Sequence, residues 1–82
     1  MKYEINCSSC WSNDKIMEHY PRLKELPIII QHKEYKGRDT ITLFIKINTI
    51  QDLENFIDCV DNKDIVISKE EKYIEIYDYY RE

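Results

Sequence analysis

With 82 residues and a mass of 10.0 kDa, the chain can bury one modest core and leaves no room for a second domain. Its balance of 43% hydrophobic and 34% charged residues excludes a disordered or low-complexity chain, and its longest apolar run, Leu26 to Ile30, is too short for a membrane span or a signal-peptide core. The net charge of −4 is unevenly spread: it cancels through Pro27, amounts to +2 from Ile28 to Ile50 and to −6 from Gln51 onward, a gradient that favours basic partners over nucleic acid phosphates.

Lys2 to Cys7 alternates, with Tyr3, Ile5 and Cys7 on one side and polar residues on the other, the period of a half-buried strand. From Ser12 the period lengthens: Ile16, Met17, Tyr20 and Leu23 recur at helical spacing. Ser12 or Asn13 can cap that helix, and Pro21, which lacks an N–H, kinks or ends it. Pro27 opens a second strand, Ile28 to Tyr35, rich in β-branched residues. Lys36-Gly37-Arg38-Asp39 supplies a turn around the sole glycine, after which Ile41, Leu43, Ile45 and Ile47 alternate with Thr40, Thr42, Phe44 and Lys46 in a third strand. Thr49 followed by Asp52 reads as a capping box, and Ile50, Leu53, Phe56, Ile57 and Val60 mark the buried stripe of a second helix that ends at Asp61-Asn62-Lys63. A short fourth strand, Ile65 to Ile67, turns through Lys69 to Glu71 into an alternating fifth, Lys72 to Tyr79. This order predicts a single α+β domain over residues 1–82, a ferredoxin-like βαββαβ arrangement with an additional C-terminal edge strand. Two helices then cover one face of an antiparallel sheet.

Cys7-Ser8-Ser9-Cys10 is the motif with a chemical reading, because it falls between a strand and a helix N-terminus, where thiolates are stabilised. At that place in a βαββαβ order it resembles the heavy-metal-associated domains of copper chaperones and transport ATPases. The resemblance covers the element order and two residues, and it implies that Cys7 and Cys10 bind a soft metal. Glu4-Ile5-Asn6 stands where that family carries Gly-Met-Thr, and Trp11 follows the second cysteine. A thiol-redox pair and plain buried thiols are the other readings, since Cys7 shares the side of Tyr3 and Ile5 as a core residue does. A closed zinc site would need Cys59, His19 or His32 to converge on the pair. Cys59, beside the helical stripe, reads as a small buried hydrophobe. Three cysteines without a secretion signal fit a reducing, cytoplasmic compartment. A single glycine supplies no phosphate-cradling loop, and no His, Ser or carboxylate spacing marks a catalytic set, so a noncatalytic role without a cofactor is expected.

If Ile74 and Ile76 face the helices, Tyr73, Glu75, Tyr77 and Tyr79 line the uncovered face of the sheet, joined by Phe44 from the hairpin. Aromatic side chains there suit protein contact, each offering a large area with a polar tip. RRM domains stack bases on the same face, but Arg38-Asp39 stands where their signature carries an aromatic and a small residue, and the negative charge repels phosphate. The expected function is a small noncatalytic module that binds a protein partner with a basic patch, a second copy of the chain being another occupant. The absence of alanine and the abundance of Ile, Lys, Glu, Tyr and Asp point to an A/T-rich coding source, a low-GC bacterium or its phage. The small size, acidic C-terminal third, tyrosine-lined strand and lack of a catalytic set make a phage or mobile-element inhibitor of a host factor, of the anti-CRISPR type, the biological expectation, by association and with no residue that specifies it. The alternative is the CxxC metal-binding or thiol-redox protein.

Overall fold

A computed structural model describes residues 1–8 and 15–77. Its strands are β1 (Lys2–Cys7), β2 (Ile28–Tyr35), β3 (Arg38–Lys46), β4 (Asp64–Ser68) and β5 (Tyr73–Tyr77), and its helices are α1 (Ile16–His19) and α2 (Ile50–Cys59), with a 3₁₀ turn at Pro21–Glu25. The strands form one five-stranded sheet in the order β2-β3-β1-β5-β4. The α+β class and the helix-covered sheet are as expected. The strand arrangement corrects the expectation in two respects: the sheet is mixed, because β1 runs antiparallel to β3 but parallel to β5, and the C-terminal strand lies inside it. The fourth strand takes the edge instead. Packing accounts for the inversion. Between β1 and β4, β5 has a neighbour on each side and withdraws Ile74 and Ile76 wholly from solvent (0% exposed), whereas Ile65 and Ile67 on β4 stay half-buried.

Register places every core residue on one side. A row of aliphatic side chains, Ile30, Leu43, Ile5, Ile74 and Ile67, crosses all five strands, and Tyr3, Cys7, Ile45 and Ile76 flank it. Ile16, Tyr20 and Leu23 from α1 and the 3₁₀ turn, with Phe56, Cys59 and Val60 from α2 and its end, complete the core. The first helical region is shorter than its periodicity suggests. Pro21 starts the 3₁₀ turn and forces Tyr20 out of helical geometry to φ −126° and ψ 76°, which leaves α1 four residues long. The expected caps Ser12 and Asn13 lie outside the described residues.

Both ends of α2 are locally determined. The Thr49 side chain accepts from the Asp52 amide at 3.1 Å, and the Asp52 carboxylate accepts from the Thr49 amide at 3.2 Å, which is the expected capping box. At the other end, the Asn62 amide donates to Ile57 O and the Asp61 amide to Asp58 O, the paired bonds of a Schellman motif, with Asp61 in the left-handed region at φ 58°. Arg22 ties this end to the 3₁₀ turn by donating to the Asp58 carboxylate at 2.8 Å. Ile50 does not join the buried stripe: at the first position of the helix it is 77% exposed. The turn between β2 and β3 is also tighter than expected. Arg38 and Asp39 pair with Tyr35 and Glu34, so Lys36 and Gly37 alone form the loop, both at positive φ as a type I′ turn requires.

Candidate protein-contact face

Alternation sends every second side chain of the sheet away from the helices. On that face Ile29, Phe44, Glu4, Tyr73 and Ser68 form a row across all five strands, and Asn6, Glu75 and Val66 form part of the next. Phe44, Tyr73, Glu75 and Tyr77 are thus brought to one surface, each half-buried among its neighbours. Tyr79 and Cys10 lie outside the described residues.

The centre of the face is held by a small polar network between β1 and β5. Asn6 Nδ2 donates to the Tyr73 hydroxyl at 2.6 Å and to Glu75 Oε1 at 3.3 Å, and the Tyr73 hydroxyl donates to Glu75 Oε1 at 3.4 Å. Partial burial pushes the Tyr73 phenol above its ordinary pKa; the Asn6 bond opposes this and the Glu75 charge adds to it. The phenol therefore remains a neutral hydrogen-bond donor through the physiological range. On the other flank, the Lys2 ammonium stands 4.5 Å from the centre of the Phe44 ring, a cation–π contact. Charge divides the face by strand: Glu75 and Asp64 lie on β5 and β4, Lys46, Lys33 and Arg38 lie on β3 and β2, and β1 between them carries both Lys2 and Glu4.

Asn6, Lys2, Ile29 and Val66 were missed by reading the sequence, because they belong to this face only through register with β5 and β3. The usable signal was parity: once Tyr3 and Ile5 are core, Lys2, Glu4 and Asn6 must point the other way. Cys7 lies on the opposite, helix-covered side, 5% exposed and packed in the core with Tyr3 and Ile5. Burial also pushes the Cys59 thiol pKa up, against the opposing charge of Arg22, which favours the protonated thiol. His19 meets the Tyr20 ring edge-on at 4.6 Å, and His32 Nδ1 lies 3.3 Å from Asp39 Oδ2 on the exposed hairpin. Among the described residues, no group of three or more His, Cys, Asp or Glu side chains is placed to hold a metal ion, and no helix is long and apolar enough to cross a membrane. A cleft of about 330 Å³ opens near the start of α2, lined by Met1, Tyr3, Ile47, Ile50, Leu53 and Ile67 with Lys69 among the polar residues. No family model, curated protein or solved structure matches the chain.

Proposed function

We propose that the protein is a noncatalytic protein-binding module that uses the face of its sheet opposite α1 and α2. One observation carries the reading: Phe44, Tyr73, Glu75 and Tyr77 share that face, and the Asn6–Tyr73–Glu75 network fixes its centre before any partner arrives. Rings held by neighbouring strands lose little side-chain freedom on binding, so their apolar area counts more fully toward affinity. Glu75 and Asp64, beside Tyr73 and Tyr77, suit a partner that brings basic residues to the β5–β4 side of the face.

The test is capture of a partner from a low-GC bacterial lysate, then titration of the purified pair. Tyr77→Ala and Glu75→Lys should each weaken binding about tenfold, the loss of a good interface anchor. Glu70→Lys, in the loop between β4 and β5, should leave it unchanged. A partner held equally well by both face variants would exclude this surface.

A further inference from the structure

The two edges of the sheet are built differently. β4 is five residues long and flanked by Lys63 and Lys69, the short, charge-guarded form that natural edges take to avoid pairing with other chains. β2 is eight residues long and pairs with β3 residue for residue from Ile28 to Tyr35, with no bulge. Lys33 is its one cation, and Pro27 guards only its beginning. From Ile29 to Tyr35 it is exposed throughout, including Ile29 at 36%, Ile30 at 48% and Tyr35 at 60%.

The hairpin sets which backbone groups face outward. Tyr35 and Arg38 close a two-residue loop and exchange both hydrogen bonds, so Tyr35, Lys33, Gln31 and Ile29 direct their amides and carbonyls to β3. The alternate residues Ile28, Ile30, His32 and Glu34 direct theirs to the outer edge. Ile28 already spends its amide on Leu26 O at 2.7 Å, which leaves Ile30, His32 and Glu34 as the outward donors. Among the described residues no further strand lies beyond them.

We propose that β2 pairs antiparallel with β2 of a second copy of this chain, about a two-fold axis at His32, joining the two sheets edge to edge. The three outward donors are symmetric about His32, so Ile30 meets Glu34 of the second copy, His32 meets its counterpart, and every outward amide finds a carbonyl. On the open face this register sets Tyr35 opposite Ile29, an aromatic against a β-branched residue in the closer type of pair, and Lys33 opposite Gln31. Shifting the axis to Gln31 would set Lys33 against Ile29 and Glu34 against Ile28; shifting it to Lys33 would oppose two ammonium groups. A ladder built on three outward donors falls at the small end of protein interfaces, whose standard size buries about 800 Å² per partner, so the dimer is a weak, reversible one.

Sedimentation velocity across the micromolar range should show a reversible monomer–dimer equilibrium. His32→Lys, which places like charges across the axis on an exposed side chain, should weaken it about fivefold or more. Under a mild disulfide oxidant, His32→Cys should give a crosslinked dimer and Glu34→Cys, two residues from the axis, should not, each judged against the unsubstituted chain. A monomer at every concentration overturns the proposal, as does preferential crosslinking of Glu34→Cys. A dimer lost on Tyr77→Ala but indifferent to His32→Lys would be an open-face dimer and would overturn it too.

Discussion

Gly37 holds φ 78° at the tip of the β2–β3 hairpin, and a Cβ added there would meet nothing within 4 Å. Gly37→Ala therefore acts through the backbone alone, and the left-handed conformation should destabilise the fold by about 1–2 kcal/mol, read from the urea midpoint. Lys36 beside it is already in that region at φ 51°, with its ammonium 5.3 Å from the centre of the Tyr35 ring. Asparagine tolerates such φ values and is favoured at the first position of a type I′ turn, so Lys36→Asn should raise stability, by less than about 1 kcal/mol because the cation–π contact with Tyr35 is lost. At this scale the sequence was readable wherever a residue has a narrow conformational use. Gly37 marked its turn, but the length of the loop was hidden, because only pairing with β2 shows that Arg38 and Asp39 belong to the ladder.

The capping of α2 was legible for the same reason: Thr49 and Asp52 are three residues apart and need no distant partner to act. Thr49→Ala should cost about 1 kcal/mol. Amide hydrogen bonds from Asn48 and then Thr49 hold the Asp52 carboxyl below its ordinary pKa. A carboxyl lowered in the folded state stabilises the protein above its unfolded value of about 4, and that contribution disappears as the pH falls through the lower folded value. Acid titrations of unfolding free energy should accordingly be shallower below about pH 4 in Asp52→Asn than in the parent chain. The first helical region was read less well. Its periodicity was real, since Ile16, Tyr20 and Leu23 are all buried, but a helix and a 3₁₀ turn joined at a proline can present nearly the same apolar side.

Strand order was the part that local pattern could not reveal. β4 and β5 both alternate, both carry two inward isoleucines, and a hairpin joins them, so either could have stood beside β1. What decides is long-range: β5 docks parallel to β1, Asn6 and Tyr73 bond across 67 residues of chain, and Ser8 donates to Ile76 O through its amide at 3.0 Å. The same pairing ranks the core. Ile74→Ala, at a site wholly closed to solvent and flanked on both sides, should destabilise by about 3 kcal/mol, whereas Val66→Ala on the exposed edge strand should cost less than about 1.

It also orders the folding reaction. The β2–β3 hairpin closes a two-residue loop, while the β1–β5 pair must close nearly the whole chain before its contacts reward the lost entropy. Truncations should then separate in a chevron: Ile41→Ala in the hairpin should mainly slow folding, and Ile76→Val in β5 should mainly speed unfolding. The reverse partition would mean that β1 and β5 have already met at the barrier, and that the central pair, rather than the hairpin, is the nucleus on which the sheet assembles.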